Sequence, residues 1–362
     1  MPKKKVTVLY EVWWADEEHD PREVHGSLLG PAPDASSAEP EPDVHQEVYG
    51  ALARLGYRPQ YSVLEGDVKS LEKLGRTRSS LVFNLTESYA GDNTKDLHVA
   101  AYLELLGRTF TGADARALHL GQDKALAKKI LRYHGIPTAD FVTVARGEKR
   151  IEHAPPFPLI VKPSREDGSI GIDTGSVVHD NKALRERVRY IHDTFSGPAL
   201  VERYIDGREI YAAVIGNDPP EALPLVELDL SRVPEGVPRI AGAEVKWWRG
   251  SEIYGQTPPI YPKKLPRALT RRIQDVALEA YRVLGLRDYG RVDLRVTGRG
   301  EIFVLEVNPN PWLSSDCEFF MAWHKKGRGY DDLVGRVVEL AFERAAKKNS
   351  AGALDLADGV DL

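Results

Sequence analysis

Cysteine and long apolar runs are the features that this 362-residue sequence most clearly lacks. The single cysteine, Cys317, excludes an intramolecular disulfide and gives no thiolate cluster for zinc. No apolar run is long enough to span a bilayer, and the N-terminus has no segment of signal-peptide form. We therefore expect a cytoplasmic enzyme or binding protein.

An excess of positive charge is also absent. The net charge of −5 and the pI near 6.1 argue against a general binder of nucleic acid or membrane surfaces, because such proteins meet phosphate with clustered basic side chains. With 42% hydrophobic and 28% charged residues, the chain has the composition of an ordinary globular protein. Its length allows two or three domains. A small molecule or a protein is the expected partner.

Strand-like and helix-like segments alternate along the chain, which predicts an α/β fold with α+β parts. Residues 1–120 are predicted to form an N-terminal domain whose parallel sheet is covered on both faces. A surface loop is expected at 15–43, where acidic residues, Pro, Ser and Ala dominate. A central domain at 121–205 is predicted to open with a helix at 122–134 and to include a strand at 175–179. A C-terminal domain at 206–346, with a strand at 223–230, and a frayed tail at 347–362 complete the predicted organisation.

A predicted hairpin within residues 289–314 carries carboxylates at strand positions where apolar residues are expected. Two β-runs flank a glycine-containing turn there. Because side chains alternate between the faces of a strand, Asp293, Glu306 and Asn308 can meet as oxygen ligands for a hard divalent cation. Arg291 lies beside them, where it can meet a developing negative charge. The alternative interpretation is a half-exposed hairpin with a charged outer face.

A lysine at the end of a strand is followed by a loop of small and polar residues, PSREDGSIGI. Backbone N–H groups in such a loop can surround an anion, and Lys162 can place its ammonium on a phosphate. The segment lacks the GxxxxGK(S/T) spacing and does not open a helix, so it is not a P-loop. The alternative is a surface hairpin loop in which Lys162 is only solvated.

Two further segments carry candidate binding residues. Glu202 and Glu209 flank a turn, where carboxylates can accept from an amino group or a ribose hydroxyl; an exposed acidic edge is the alternative. Lys246 and Trp247 lie in a polar connection that contains Gly and Pro and could close as a lid over a reactive intermediate. Simple packing of the tryptophan on the core is the alternative there.

In this order, the motifs resemble those of the ATP-grasp enzymes and, within them, the D-alanine:D-alanine ligases. The resemblance covers residues 81–340 and is carried by GQDKALAKKILRYHGIPT, VKPSREDGSIGI, VERYIDGREIYAAVIG, Lys246, GRVDLR and LEVNPNP. It implies an ATP-grasp fold of three domains, with ATP held between the central and C-terminal domains.

The resemblance also implies a role for each motif residue. The residues expected to hold ATP are Lys124, Lys162, Lys246, Gly168 and Ser169 at the phosphates, Glu202 and the Ile205 backbone at the adenine, and Glu209 at the ribose. Those expected to bind two Mg²⁺ ions, with Mn²⁺ as the alternative, are Asp293, Glu306 and Asn308. Those expected to be catalytic are Arg291, which would stabilise the tetrahedral intermediate, with Lys246 and Ser169.

The implied reaction joins an amino acid or an amino-acid-like carboxylate to an amine. The carboxylate attacks the γ-phosphate of ATP to give an acyl phosphate and ADP, and the amine then displaces phosphate to form an amide or peptide bond. A D-alanine:D-alanine ligase proper and a non-catalytic ATP-binding regulatory protein are the two alternatives. Small molecules are the expected partners, nucleic acid and membranes are not, and analogy with the relatives suggests a homodimer.

The substrate-binding parts depart from the family pattern. Thr86 stands where the relatives have a histidine, Trp247 replaces a tyrosine, and Trp312 follows Pro311 where they have glycine. The resulting substrate-binding candidates are Glu87, Trp247, Arg291, Trp312 and Asp316. An indole and acidic residues change both the volume and the charge of the acceptor pocket, so specificity for D-alanine is not implied.

Overall fold

The computed structural model describes residues 4–12, 43–148, 150–195, 197–242 and 257–357. The loop predicted at 15–43 lies outside these ranges except for its last residue. The candidates Lys246 and Trp247 lie outside them as well. Among the described residues, no helix has the length and apolar character needed to cross a membrane.

The N-terminal part contains the predicted parallel sheet. Its strands are β1 (Lys5–Glu11), β2 (Arg58–Leu64) and β3 (Leu81–Asn84), in the order β2-β1-β3 with both pairs parallel. The accompanying helices are α1 (Val44–Arg54), α2 (Val68–Arg76) and α3 (Asp96–Leu105). Because strands of a parallel sheet need crossover connections, the alternation of strands and helices in the sequence predicted this arrangement.

The central part begins with two helices where the sequence predicted one. α4 (Ala115–Gln122) and α5 (Lys124–Tyr133) are separated by Asp123, which has φ −86° and ψ 90° and accepts a hydrogen bond from the N–H of Leu126. The predicted single helix from residue 122 to 134 was therefore wrong at its start. An aspartate that caps the following helix explains the break, since its side chain satisfies an N–H group that the helix cannot.

The central sheet is antiparallel and packs against one long helix. Its strands are β4 (Phe141–Val144), β5 (Leu159–Pro163), β6 (Val177–Val178) and β7 (Ala199–Arg203), in the order β4-β7-β5-β6, and the helix is α6 (Asn181–Thr194). The predicted strand at 175–179 is only two residues long, because a 3₁₀ turn at Thr174–Ser176, capped by Asp173, occupies its start.

The C-terminal part is a larger antiparallel sheet flanked by helices. Its strands are β8 (Arg208–Ile215), β9 (Glu221–Ala222), β10 (Val226–Leu228), β11 (Pro259–Ile260), β12 (Tyr289–Val296) and β13 (Ile302–Asn308). The order is β11-β10-β8-β12-β13, with β9 also paired to β8. The helices are α7 (Arg267–Val283), α8 (Glu318–His324) and α9 (Tyr330–Ala357).

This part differs from the expected elements in three places. Of the strand predicted at 223–230, only Val226–Leu228 forms a strand, β10, and α8 was not predicted. The predicted tail from residue 347 continues α9 as far as Ala357. This segment contains alanine, leucine and lysine, which favour helix.

Two of the three hydrophobic clusters among the described residues join the N-terminal and C-terminal parts. One contains Leu9 with Ile210 and Val292, and another contains Val8 with Trp323. The third lies within the central part, around Leu159. The hairpin of β12 and β13 is therefore supported by buried side chains from the distant N-terminal strands, which holds its polar face in a fixed position.

Helix α4 lies unusually close to the end of β13. A Cβ built on Gly121 would lie 2.5 Å from Cγ of Pro309 and 3.2 Å from the carbonyl oxygen of Val307. The proline ring and the backbone cannot move aside as a flexible side chain would. Gly121 thus permits the close approach that positions Asn308, the neighbour of Pro309.

We predict that Gly121→Ala lowers the free energy of unfolding by about 1–3 kcal/mol, because the added methyl group overpacks the contact with Pro309. Gly298→Ala is the matched control, since nothing lies within 4 Å of its Cβ position. Urea unfolding of both variants measures the difference. Equal stability of the two variants would contradict this account of the α4 contact.

Candidate active site

The hairpin of β12 and β13 has the register that the sequence predicted. Arg291 pairs with Asn308, and Asp293 pairs with Glu306, while the register shifts immediately after Asp293. Directly opposed residues project to the same face of an antiparallel pair, and so do residues two apart on one strand. All four side chains therefore gather on one face, as expected.

Asp293 is held by two neighbours on this face. Its Oδ1 and Oδ2 accept from Nε and Nη2 of Arg291 at 2.7 and 2.9 Å, and its Oδ2 also accepts from Nδ2 of Asn308 at 3.1 Å. Burial opposes the charge of Arg291, but Asp293 and Glu318 raise the pKa of Arg291 far above its usual value. Arg291 thus stays a cation inside the site.

Lys124, the first residue of α5, faces the second carboxylate of the hairpin. Its Nζ lies 3.5 Å from Oε2 of Glu306 and 2.9 Å from Oδ1 of Asp167, and donates to the carbonyl of Glu166 at 2.5 Å. Burial alone would lower the pKa of Lys124, but Asp167 and Glu306 raise it overall. Each carboxylate of the predicted metal site therefore has a basic side chain next to it.

The donor set fits a hard divalent cation. Two carboxylates and one amide oxygen are what a nucleotide-bound Mg²⁺ takes from a protein, because it keeps several waters and uses phosphate oxygens for the rest. Among the described residues, no three His, Cys, Asp or Glu side chains form a larger metal cluster. When bound, Mg²⁺ supplies positive charge at the phosphate oxygens, and Asp293, Glu306 and Asn308 are the residues that would hold it.

Glu202 lies between two lysines in the interior. Its carboxylate is 2.9 Å from Nζ of Lys162 and 2.9 Å from Nζ of Lys128, which also donates to Oγ1 of Thr138 at 2.8 Å. Burial would raise the pKa of Glu202, yet the two lysines lower it overall, whereas burial lowers the pKa of Lys128. The three side chains form one buried, charged unit.

Lys128 was not predicted to be functional, although the sequence contained a signal. It follows Lys124 by four residues, so the two lysines share a face of α5. Lys128 is nevertheless 1% exposed, which is rare for a lysine. The burial arises because β13 covers the helix, with the carbonyl of Val304 3.3 Å from Nζ of Lys128.

Glu209, the predicted ribose ligand, is buried beside an arginine. It accepts from Nη2 of Arg295 at 2.8 Å and from the hydroxyl of Tyr211 at 3.1 Å. Arg295 also donates to the carbonyl of Gly207 at 3.1 Å, so it fixes the turn between β7 and β8 in which Ile205 lies buried. Arg295 was not assigned a role from the sequence, although it shares a strand face with Asp293.

The loop after β5 is sharply folded. Gly168 and Ser169 have φ values of 62° and 65°, in the left-handed region, and the Oγ of Ser169 donates to the carbonyl of Ala241 at 2.6 Å. A Cβ on Gly171 would lie 2.7 Å from the ring of Phe195, so the loop is packed tightly on the central core. This geometry is consistent with a backbone that surrounds an anion.

This chain is similar to proteins of a known enzyme family. A family model described as "D-ala D-ala ligase C-terminus" matches residues 130–339, which is more than half of the chain. The chain belongs to the D-alanine–D-alanine ligase family. The predicted resemblance and fold class are confirmed. The protein is an ATP-dependent carboxylate–amine ligase of this family, and ATP and Mg²⁺ are its cofactors.

Three similar proteins align with most of this chain. An uncharacterized protein, y4sG, of Sinorhizobium fredii is 33% identical over 87% of this chain and 92% of its own length. A D-alanine–D-alanine ligase of Pelotomaculum thermopropionicum is 30% identical over 82% of this chain and 91% of its own. The solved D-alanine–D-alanine ligase of Bacillus anthracis complexed with ATP shares the fold, with a TM-score of 0.70 at 20% identity, covering 95% of this chain and 99% of that one.

A group of carboxylates lies beside the loop of this ligase. Burial raises the pKa of Glu11 to about 7, and burial together with nearby carboxylates raises that of Asp96 to about 8. The pKa of Glu87 is also raised by its surroundings, which include these carboxylates, although its side chain is exposed to solvent. Glu11 accepts from the N–H of Glu87 at 2.9 Å and from Oγ of Ser88 at 3.3 Å. Asp167, which contacts Lys124, adds to the negative potential. Glu11 and Asp96 were not among the predicted site residues.

The segment after the metal motif contacts the hairpin through Glu318. Oε2 of Glu318 lies 3.5 Å from Nη1 of Arg291. Trp312 is 44% exposed, and Asp316 is exposed and accepts from Oγ of Ser314. Within the described residues no hydrogen bond or ion pair joins Trp312, Asp316 or Glu87 to Arg291, so the substrate-binding role of these three residues stays a prediction.

We predict that Glu202→Gln lowers the free energy of unfolding by about 3–5 kcal/mol at pH 7, because Lys128 and Lys162 remain buried after their shared anion is lost. The difference in the free energy of unfolding between the wild type and this variant should become smaller as the pH rises towards 10. Burial holds the pKa of Lys128 below its usual value, and a lysine without its proton no longer buries a charge. Chemical unfolding across this pH range measures the effect.

Two comparisons sharpen this test. Glu186→Gln, which removes an exposed carboxylate from α6, should change stability by less than about 0.5 kcal/mol. Adding Lys128→Met to Glu202→Gln should recover part of the lost stability, because it removes one of the two buried ammonium groups that Glu202→Gln leaves without an anion. Wild-type stability of Glu202→Gln at pH 7 would show that the buried unit is not ionised as described.

Proposed function

We propose that this ligase condenses an amino acid, or a small acid like one, with an amine. In this proposal Arg291, Lys124 and Lys162 balance the negative charge of the phosphates and of the reaction intermediate. The observation that carries the proposal is the pairing of every carboxylate of the hairpin face with a cation, Asp293 with Arg291 and Glu306 with Lys124. Groups already arranged to balance charge need little rearrangement when phosphate and metal charges enter the site.

The two lysines are proposed to hold the phosphates of ATP. Lys162 ends its strand next to the loop, and Lys124 donates to the loop backbone at Glu166. Both ammonium groups now contact carboxylates, so phosphate would replace one anion with another. Gly168 and Ser169 are proposed to add backbone N–H groups at the same phosphates, and Glu202, Ile205 and Glu209 to hold the nucleoside.

An amino acid is the proposed donor because the group of carboxylates suits an ammonium ion. Burial raises the pKa of Glu11, and burial with nearby carboxylates raises the pKa values of Glu87 and Asp96, so all three hold their protons more readily than ordinary carboxyl groups. A cationic group placed among them would lower those pKa values and relieve the repulsion. The α-ammonium of a donor whose carboxylate faces the γ-phosphate would supply that charge.

Arg291 is proposed to stabilise the oxyanion of the tetrahedral intermediate. It remains fully charged, is 14% exposed in its side chain and lies over the ring of Tyr211 at 4.8 Å, which fixes its plane. Lys246 and Trp247, which lie outside the described residues, are proposed as the phosphate contact and lid that keep water from the acyl phosphate. Trp312 and Asp316 are proposed to line the entrance for the amine.

Condensation of two D-alanine molecules is the second candidate, because relatives with 30–34% identity carry that name. The proposed setting for either reaction is the cytoplasm, with small-molecule substrates, no nucleic-acid or membrane partner and a homodimeric assembly. A protein that binds ATP without turnover would not need Arg291 beside the metal ligands. Substrate pools that include D-alanine alone separate these candidates.

We predict release of ADP and phosphate when the protein is incubated with ATP, Mg²⁺, a pool of L- and D-amino acids and simple amines. Arg291→Ala should lower this rate about 10²–10³-fold, as expected for loss of a charge that stabilises an oxyanion. Arg299→Ala, at the exposed turn of the same hairpin, is the matched control and should retain the rate.

Thermal unfolding of Arg291→Ala with and without ATP separates a lost reaction from a lost fold. A folded variant that binds ATP but does not turn it over supports the proposed role. No phosphate release from the wild type with any pool, together with tight ATP binding, would overturn the proposed function in favour of a regulatory binding protein.

A further inference from the structure

The strongest feature not used by the proposed function is the carboxylate of Glu318. Its Oε2 lies 3.5 Å from Nη1 of Arg291, and its side chain is 28% exposed. It comes from α8, a different element from the hairpin that carries Arg291. The metal and phosphate roles given above do not involve it, so its contact with the proposed oxyanion-binding arginine has no assigned purpose.

The segment that carries Glu318 is held firmly. The Sγ of Cys317 donates to the carbonyl of Trp312 at 3.1 Å, and the N–H of Ser315 donates to Glu47 at 2.8 Å. Phe319, the residue after Glu318, is 1% exposed in the core. A carboxylate on a fixed backbone, beside a fixed guanidinium, is a positioned group and not a flexible surface chain.

Arg291 has a carboxylate partner at each of its three nitrogens. Asp293 takes Nε and Nη2, and Glu318 takes Nη1. One face of the guanidinium lies over the ring of Tyr211. A substrate carboxylate that approached Arg291 would therefore compete with two protein carboxylates that are already in contact.

This charge arrangement bears on the second substrate. A group that stabilises the oxyanion lies about 3 Å from that oxygen, so the substituents of the attacking amine come within a few ångströms of Arg291 and hence of Glu318. If Asp293 bound a metal ion through an oxygen that now accepts from Arg291, Glu318 would remain as a carboxylate partner of Arg291. An acceptor with a carboxylate next to its amino group would then bring a second negative charge to the same place, which is unfavourable.

We propose that the acceptor is an amine without a carboxylate next to its amino group, and that Glu318 excludes amino acids from the acceptor site. This inference rests on the proposed function. In the step concerned, the nitrogen of the neutral amine forms a bond to the acyl carbon, the bond from that carbon to the phosphate oxygen breaks, and the proton lost by nitrogen leaves with phosphate. Glu318 takes no part in these bond changes and acts on which amine can approach.

The first half of the reaction can be measured without the natural acceptor. Hydroxylamine is small and uncharged, and it converts an acyl phosphate to a hydroxamate. Wild-type protein with ATP, Mg²⁺ and a panel of amino acids should therefore give a hydroxamate that identifies the donor. No hydroxamate from any acid would overturn the proposed function and this inference with it.

With that donor, alanine and alaninamide of both configurations are compared as acceptors, and kcat/KM is calculated on the concentration of neutral amine because the amino group of alanine is the more basic. On that scale we expect kcat/KM for alaninamide to exceed that for alanine at least tenfold. Glu318→Gln should reduce this ratio at least fivefold and leave the hydroxamate yield unchanged, while Glu318→Asp should keep much of the preference. Glu301→Gln, exposed at the far end of the hairpin, is the control and should keep the wild-type ratio.

Two results would overturn the inference while the proposed function stands. One is a wild-type protein that uses alanine at least as well as alaninamide. The other is a Glu318→Gln variant with the wild-type ratio and normal hydroxamate formation. In either case Glu318 would be a structural partner of Arg291 with no part in choosing the acceptor.

Discussion

The contact between Arg291 and Asp293 is the interaction on which the rest of this site depends. A carboxylate that is 2% exposed is costly unless it is paired, and here one guanidinium binds both of its oxygens. The same requirement recurs at the buried Glu202 with Lys128 and Lys162, and the half-buried Glu306 is likewise paired with Lys124. Charge pairing thus links the hairpin, the helix that follows Asp123 and the central sheet into one site.

The sequence predicted the parts of this site that follow from strand periodicity. Side-chain alternation alone brought Asp293, Glu306 and Asn308 to one face, and the register confirms it. Contacts between distant segments could not be predicted in this way. The burial of Lys128 depends on β13 lying across α5. The approach of Glu318 to Arg291 depends on α8, a helix that was not predicted from the sequence.

The family relationship and the structure address different questions. Membership of the D-alanine–D-alanine ligase family establishes the reaction class and its use of ATP and Mg²⁺. The residues around Arg291, the proposed oxyanion-stabilising group, are proposed to bear on the choice of substrate. Glu11, Glu87 and Asp96 place carboxyl groups with raised pKa values near the loop, and Glu318 places one beside Arg291; we propose that both favour cationic or uncharged parts of the substrates.

The transfer of a carboxylate oxygen to phosphate tests the central claim most directly. Amino acids labelled with ¹⁸O in the carboxylate are incubated with the protein, ATP, Mg²⁺ and amines, and the released phosphate is examined by mass spectrometry. An acyl phosphate leaves one labelled oxygen on phosphorus when the amide forms, so the account predicts one ¹⁸O in each phosphate released. Amide formation with unlabelled phosphate would contradict it.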